Sequence, residues 1–400
     1  MFVRDRVIKA LEANAKAFST YKAVRQSDLD NYQNALLTVA SLSRPDLGAL
    51  LAHEQMPGAL PTTEQGNGPI QPFATAWKNH QEARAWAMQI LRGQTTFAVD
   101  GSQIPPQRTI SPPVAMVQIG WFENRHLPGG QYEKDVEIEI LPPEVVRNAE
   151  GVTLGEAGEL AVSLRRYVME TERITRYMRE HAGQTPAPVA FFDGSLVASF
   201  AGRLPDDIHD QYIDATVRML VASEQTRIPL IGYVDTSYAH DLVTMVQVAQ
   251  PDLPAASRLS DAALLDSLTM KWGDRSTAYI CARHETGVLD NYQDTGSGLD
   301  FSRRVAFTYL KTTQDGPPSR VEFPLWILED GRLDATLDVV RAEAVVGNGY
   351  PYPIETADAV AVLTMEDRER FHHVFQQFAQ KHDLPLRHSR KAMSKRQRRV

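Results

Sequence analysis

The sequence predicts an α/β fold in which helices flank a mixed sheet and a helical arm precedes that sheet. In residues 1–92, apolar side chains recur mainly at helical spacing. From Thr95 onward, short apolar runs typical of strands alternate with longer amphipathic stretches. The tripeptide Asp-Gly-Ser follows two of these runs, at Asp100 and at Asp193. An apolar run that ends in Asp and a turn-permitting Gly is typical of a strand ending at the open edge of a sheet.

Length and composition indicate an ordinary globular protein. The chain has 400 residues, 43% of them hydrophobic, which is enough for one large domain with an appendage or for two domains. No apolar run approaches the roughly 18 residues of a membrane helix, and the first residues lack the basic-then-apolar order of a signal peptide. We therefore expect a cytoplasmic protein with no membrane partner. Cys281 is the sole cysteine and lies in an apolar setting, which predicts a packed thiol and excludes an intrachain disulfide.

Charge is unevenly distributed along the chain. The formal net charge of -8 does not by itself favour a nucleic-acid partner. Residues 386–400, in contrast, form a basic tail, and no acid follows Asp383. Such a tail is usually solvated, but it also suits phosphate contacts, and both interpretations stay open.

Residues 1–92 form the predicted helical arm. Helical spacing covers residues 3–55, and a further helix is predicted over residues 72–92. The Pro- and Gly-rich residues 56–69 between them favour an exposed connection. This arrangement makes the arm a unit distinct from the sheet that follows.

Residues 93–385 are predicted to form one mixed domain. Its first elements are three strands at residues 95–100, 114–122 and 135–141, a helix at 155–181 and a strand at 189–193. Further strands are predicted at 230–234, 276–283, 305–312 and 320–328, with helices between and after them. In the third strand, Val136, Ile138 and Ile140 alternate with acids, which predicts one solvated face. A meander of three strands, a helix and then a parallel strand is the order of ribonuclease-H-like domains.

Asp100 and Asp193 are the first candidates for a functional site. Carboxylates at neighbouring strand ends repel each other and lose hydration, so they persist mainly around a cation, usually Mg²⁺ or Mn²⁺. Two ordinary Asp-Gly turns are the alternative interpretation.

A third acid is expected from the helix between the two strands. Four glutamates on this helix are candidates: Glu156, Glu159, Glu170 and Glu172. Glu170 is favoured because it lies beside the buried row that includes Leu164 and Tyr167. A surface glutamate paired with Arg166 or Arg173 is the alternative for this position.

Further side chains are expected to line the same cleft. Asp358 follows Pro353, which suits a first helical turn and would direct the helix inward, although a surface aspartate is the alternative. Asp235 and Tyr238 follow a predicted strand, and Tyr233 and Tyr238 are candidates for stacking on a base, with rim packing as the alternative. The histidines show no metal-ligand spacing, which argues against zinc. The sequence has no phosphate-loop motif, so any translocation requires a partner.

A series of short motifs runs along residues 95–395. The segments are Phe97–Ser102, Leu164–Glu170, Phe191–Leu196, Gly232–Val234, Trp272–Ser276, Arg320–Trp326, Gly349–Pro353, Asp367–Phe371 and Ser389–Lys395. In this order they resemble the motifs of the bacterial branch of the NurA nuclease family. Each motif is short, but the ordered set is specific.

The resemblance implies a fold, a chemistry and partners. Members of the family have a ribonuclease-H-like core, form homodimers and degrade DNA with Mn²⁺, working with the hexameric HerA translocase. By position, the resemblance implies that Asp100, Glu170 and Asp193 hold the metals, with Mg²⁺ as the alternative ion. In the motif at 272–276, Arg275 and Ser276 become candidates for substrate binding, alongside Tyr233 and Asp235.

One position departs from the family pattern. Family members often carry histidine after the position of Ala357, where this chain has Asp358. An acid is able to ligate Mn²⁺ or to orient water. Asp358 therefore remains a candidate catalytic residue and fourth metal ligand, and the strength of a second metal site stays open.

The predicted function is that of a metal-dependent deoxyribonuclease acting on double- and single-stranded DNA. The resemblance implies a 5′–3′ exonuclease, with single-strand endonuclease activity as an option, that processes DNA ends for double-strand break repair. Two alternatives stay open: a non-catalytic adaptor that guides DNA to a HerA-type translocase, and a structure-specific endonuclease with a ribonuclease-H-like fold.

Overall fold

The computed structural model describes residues 2–107, 110–146, 156–256, 258–283 and 288–388. The helices are α1 (Arg4–Ala13), α2 (Ala15–Ser41), α3 (Arg44–Leu51), α4 (His80–Leu91), α5 (Glu156–Glu180), α6 (Asp206–Thr226), α7 (Asp241–Ala249), α8 (Asp261–Asp266), α9 (Trp326–Glu329), α10 (Leu333–Val346), α11 (Tyr352–Ala361) and α12 (Met365–Lys381). Short 3₁₀ helices lie at Ser199–Arg203 and Val288–Asn291.

The strands are β1 (Gly58–Pro61), β2 (Ile70–Gln71), β3 (Thr96–Ile104), β4 (Ile110–Ser111), β5 (Ala115–Asn124), β6 (Tyr132–Leu141), β7 (Val189–Asp193), β8 (Leu230–Val234), β9 (Arg275–Ser276), β10 (Tyr279–Ala282), β11 (Gln293–Asp294), β12 (Leu299–Asp300), β13 (Val305–Leu310), β14 (Ser319–Pro324) and β15 (Arg387–His388).

A mixed, 11-stranded sheet forms the centre of the protein. The main path through it has the order β1-β10-β13-β14-β8-β7-β3-β5-β6. β7 runs parallel to both β3 and β8, and the other neighbours on this path are antiparallel. The block β6-β5-β3-β7-β8 is a meander followed by two parallel strands. The predicted α/β class, with a ribonuclease-H-like mixed sheet between helices, is confirmed.

Helices cover both faces of this sheet. α5 to α8 and the second half of α2 pack on one face, here called the α5 layer. α4, α10 and α11 pack on the other, the α11 layer. In β3, Phe97 and Val99 belong to the core under the α5 layer and Ala98 to the other core. Because side chains alternate along a strand, Asp100 faces the α11 layer and Gly101 faces the α5 layer.

Local sequence explains the elements next to the site. β7 and β8 are short apolar runs buried on both faces, as expected for the parallel centre of a sheet. α11 begins with a proline in its first turn, where a missing N–H costs nothing. α12 begins at a capping box in which Thr364 and Asp367 satisfy each other's backbone N–H groups.

The predicted boundary at residue 92 does not separate a helical arm from the sheet. β1 pairs with β10, with Gly58 opposite Ala282. The predicted exposed connection is wrong for this stretch, since Met56 and Ala59 are buried. Tyr32 in α2 also belongs to the core. Within the described residues, the parts that project are α1, which has no buried residue, and the first half of α2.

The edge strand β6 differs from its prediction. The acids on one face pair with the α5 layer, through Glu139 to Arg165 and Glu137 to Arg176. The apolar residues that were expected to be covered are accessible instead, with Ile138 53% exposed. Both faces of β6 are therefore open to solvent.

The predicted basic tail lies outside the described residues from position 389 onward. No helix in the described ranges is long and apolar enough to cross a membrane. Cys281 is buried in the core, as predicted for a packed thiol.

Candidate metal centre

Two aspartates meet where the parallel pair β3 and β7 ends. Val99 lies opposite Phe192 in the register, so Asp100 and Asp193 follow at matching positions. The prediction of two turns is wrong for the first tripeptide, because β3 continues through it and pairs with β5 as far as Ile104. The second tripeptide does turn, at Gly194 with a φ of 146°.

Gly101 admits the third carboxylate from the opposite face of the sheet. A Cβ atom at this position would lie 2.3 Å from Glu170 Oε1. Glu170 is 7% exposed, and its Oε1 accepts a hydrogen bond from Arg166 Nη1 at 3.0 Å. The glycine is therefore needed for close approach rather than for a turn.

The fourth carboxylate comes from α11, which packs closely on β3 and β5. Gly120 of β5 lies opposite Asp100. A Cβ atom on Gly120 would lie 2.7 Å from the backbone nitrogen of Ala361, so the absence of a side chain lets the helix lie against the strand. Asp358, one turn earlier on this helix, lies close enough to Asp100 for its carboxylate to raise the pKa of that aspartate. Asp358 therefore joins the cluster from the α11 side of the sheet.

Asp100, Glu170 and Asp193 have raised pKa values, in part because acids on other elements lie close to them. Burial raises the pKa of Asp100 to about 6, with further increases from Asp358 and Asp193. Burial raises the pKa of Glu170 to about 8; the Arg166 charge opposes this shift, and Asp100 and Asp193 add to it. The pKa of Asp193 is raised by burial and, in part, by Asp358. A cluster with this excess of negative charge is suited to a cation.

The donor set fits a hard divalent ion. Four carboxylates from β3, β7, α5 and α11 supply oxygen ligands only, which is the preference of Mg²⁺ and Mn²⁺. In the described residues, no three histidine, cysteine or acidic side chains already converge as a formed metal cage. Glu170 is instead engaged by Arg166. Asp100, Asp193, Asp358 and Glu170 remain the residues that would hold such an ion.

Tyr350 is a site residue that we did not single out from the sequence. Its hydroxyl donates a hydrogen bond of 2.7 Å to Asp193 Oδ1. The preceding Gly349 has a φ of 113°, which turns the chain toward the strand ends. The ring packs edge-on against Tyr233, with centroids 5.3 Å apart. The motif at 349–353 contained this signal, since a glycine followed by an aromatic residue precedes the helix of Asp358.

The serines of the two tripeptides fasten the surrounding backbone. Ser195 Oγ donates to Oε2 of the buried Glu322 at 2.7 Å, and this Glu322 oxygen also accepts the N–H of Leu196 at 2.6 Å. Ser102 Oγ accepts the N–H of Leu363, just beyond α11, at 3.3 Å. Each serine thus ties a carboxylate-bearing strand to another element.

Glu322 was also missed by the sequence analysis. It is 0% exposed, and its second oxygen accepts from Arg320 Nε at 2.6 Å. Arg320 in turn contacts Asp241 at 2.7 Å, which anchors the start of α7. An arginine and a glutamate two residues apart in an apolar strand were the available signal, because charges in such a strand need partners.

Three of the predicted substrate-binding residues are buried. Tyr233 is 0% exposed and donates to Ser319 Oγ at 2.9 Å. Arg275 is 4% exposed and pairs with Glu64 at 2.6 Å, and Ser276 is 0% exposed. Their burial argues against direct contact with a bound nucleic acid, and their role in substrate binding stays a prediction.

The exposed candidates lie at the end of β8. Asp235 is exposed, and its charge helps to raise the pKa of Asp193. Tyr238 is 79% exposed. Their roles in substrate binding stay predictions.

Comparisons with known proteins place the chain in a family. The family model of the NurA domain matches residues 94–363. A crystal structure of NurA with manganese is similar over 72% of this chain and 89% of that chain, with 9% identity and a TM-score of 0.43. Another crystal structure of NurA gives 71% and 89% coverage, 10% identity and a TM-score of 0.42.

The catalytic domain of human endonuclease V is similar over 85% of this chain and 96% of that chain, with 12% identity and a TM-score of 0.32. No curated protein matches the chain in sequence. The family model covers well over half of the chain. The protein therefore belongs to the NurA domain family.

Proposed function

We propose that this protein is a metal-dependent nuclease that hydrolyses phosphodiester bonds in DNA, with Mn²⁺ as the ion and Mg²⁺ as the alternative. The observation that carries the proposal is the cluster of Asp100, Glu170, Asp193 and Asp358, whose excess negative charge calls for a cation. Membership of the NurA domain family supports it.

The side chains around the cluster have separable roles. A divalent ion, when bound, lowers the pKa of an attacking water and stabilises the leaving oxygen. Asp100 and Asp193 offer carboxylates from the sheet, and Glu170 and Asp358 offer theirs from the two helical layers. The Tyr350 hydroxyl holds one oxygen of Asp193 and leaves the other available. Tyr350 therefore orients this ligand.

The finer parts of the proposal come from the family resemblance. They are cleavage of double- and single-stranded DNA, 5′–3′ exonuclease polarity, a homodimer, and work with a HerA-type hexameric translocase at double-strand breaks. The sequence lacks a phosphate loop, which supports the need for a separate motor. Duplexes labelled at either 5′ or 3′ ends would separate terminal from internal cleavage and fix the polarity.

Neutral variants of the two strand aspartates test the chemistry. We expect Asp100→Asn and Asp193→Asn to lose more than about a hundredfold of Mn²⁺-dependent DNA digestion, because they remove ligand charge and nearly preserve shape. They should also lose most of the rise in melting temperature that Mn²⁺ gives the unmodified protein. The measurements are gel assays of labelled DNA and thermal melts with and without Mn²⁺.

Asp252→Asn is the control, because Asp252 is exposed and lies between α7 and α8, on none of the elements that carry the four carboxylates. Full digestion by a folded Asp193→Asn protein would remove this residue from the mechanism. If the unmodified protein shows neither digestion nor stabilisation by Mn²⁺, the adaptor function is favoured instead.

A further inference from the structure

Arg166 is a basic side chain held directly against the carboxylate cluster. It lies one helical turn before Glu170 on α5. Its Nη1 atom donates to Glu170 Oε1 at 3.0 Å and to the carbonyl oxygen of Gly101 at 3.2 Å. Its stem fills the space that the glycine leaves, since a Cβ there would lie 2.7 Å from Arg166 Cγ. The strand of Asp100 therefore fixes the position of the guanidinium.

The guanidinium has unused hydrogen-bonding capacity. Both of these hydrogen bonds use Nη1, Nε is buried without a partner, and Nη2 makes no hydrogen bond to another described residue. The side chain is 35% exposed, and Nη2, which is not among the buried unpaired atoms, is the nitrogen open to solvent. Its charge reaches the second strand aspartate as well, because it lowers the pKa of Asp193. A guanidinium N–H group that is open to solvent beside an acidic site is suited to binding a phosphate.

The neighbouring arginines of α5 are engaged elsewhere. Arg165 pairs with Glu139 of β6 at 2.6 Å. Arg173 lies over the rings of Phe97 and Trp121, at 4.9 and 4.4 Å from their centroids. Arg165 has nearly the same exposure as Arg166, 33% against 35%. It therefore provides a matched control.

We propose that Arg166 binds a phosphate of the DNA beside the carboxylate cluster, through the Nη2 group that neither Gly101 nor Glu170 occupies. This inference rests on the proposed nuclease function and assigns the anchoring of its substrate to one side chain. Without DNA, the same guanidinium holds Glu170 and offsets part of the negative charge. The Arg166 guanidinium thus places a positive charge beside the acidic cluster, where it can pair with an anionic substrate.

The experiment measures DNA binding without cleavage. A fluorescent duplex is titrated with protein in the Asp193→Asn background, with Ca²⁺ present, over about 50 to 200 mM salt. We expect Arg166→Gln to weaken binding about ten- to a hundredfold. The slope of log K against log salt should fall by about 0.9, the counterions released per phosphate contact. Arg166→Lys should keep the slope because it keeps the charge, and Arg165→Gln should change neither quantity.

An unchanged slope in Arg166→Gln overturns the proposal. Normal binding, together with lost cleavage when Arg166→Gln is made in the otherwise unmodified protein, also overturns it, because the residue then acts only through Glu170. If the Gln variant does not fold, Arg166→Met, which keeps an apolar stem beside Gly101 and removes the charge, carries the test in the active background. A raised KM for DNA with kcat retained supports phosphate binding, and a loss confined to kcat overturns it. Failure of the unmodified protein to cut DNA would refute the proposed function, but the binding measurement does not depend on cleavage.

Discussion

Glu343 is a carboxyl group with no exposed surface on α10. Thr96 donates to its Oε1 atom at 2.7 Å, and His126 Nε2 lies 3.3 Å from the same oxygen. Burial raises the pKa of Glu343 to about 8 and lowers the pKa of His126. Near neutral pH, a protonated Glu343 therefore faces an uncharged imidazole under the start of β3.

The stability of the protein should depend on the charge of Glu343. Its pKa in the folded state exceeds the unfolded value of about 4.3, so the stabilisation is complete below that value and is lost as the pH rises through about 8. We expect Glu343→Gln to flatten the decline in unfolding free energy between pH 6 and pH 9. Urea denaturation across this range, with EDTA present, provides the measurement.

Glu369→Gln is the control for this prediction because Glu369 is exposed. Its profile should run parallel to that of the unmodified protein. A Glu343→Gln profile that also runs parallel would show that this carboxyl group is already charged in the folded state.

At the scale of elements, the contact between α11 and the sheet depends on one missing side chain. Gly120 lies under Val360 and Ala361, where a Cβ would approach backbone atoms at 2.7 and 2.9 Å. These backbone atoms cannot move aside to make room for a Cβ atom, as the end of a flexible side chain could. The position of Asp358 over the strand ends is therefore set by a residue on a different strand from any carboxylate.

Gly120→Ala should displace α11. We expect a loss of about 1–3 kcal/mol in unfolding free energy, together with a smaller melting-temperature rise on addition of Mn²⁺. The control is Gly48→Ala, since a Cβ at Gly48 meets nothing within 4 Å and the residue lies inside α3. That change should stabilise by about 0.5–1 kcal/mol. Equal stabilities of the two variants would contradict the close contact.

The sequence predicted elements with strong local patterns and missed those set by distant partners. β7 and β8 were predicted at their observed residues because their apolar runs end sharply. The place of Asp193 at a strand end and of Glu170 beside the buried row of its helix followed from local patterns, and their role as metal ligands stays a prediction. The pairing of β1 with β10 was missed, since it joins segments far apart in the chain. The burial of Tyr233 depends on strands and loops from elsewhere, which no local pattern records.

On the scale of the whole molecule, the N-terminal helices divide into a projecting part and an integrated part. Phe18 is 60% exposed and Leu11 is 54% exposed, whereas Leu36 and Val39 are completely buried. The division falls inside the single helix α2, so neither helix boundaries nor composition marks it. The predicted arm was too long because amphipathic spacing looks alike in both halves.

Two truncations test this division. Removal of residues 1–18 should leave the unfolding free energy within about 0.5 kcal/mol of the full chain, because residues 2–18 are all exposed. Removal of residues 1–39 also takes away Tyr32, Leu36 and Val39, and should cost several kcal/mol or prevent folding. Chemical denaturation of both proteins gives the comparison. A large loss from the shorter truncation would place the arm within the cooperative unit.

The carboxylates approach the strand ends from opposite sides of the sheet. Glu170 arrives past Gly101 from one side, and Asp358 arrives over Gly120 from the other. If the α5 layer separates from the sheet, Glu170 leaves the cluster. If the α11 layer separates, Asp358 leaves it. Local unfolding on either side of the sheet would therefore take the carboxylate cluster apart, and the proposed nuclease would lose its metal-binding groups with it.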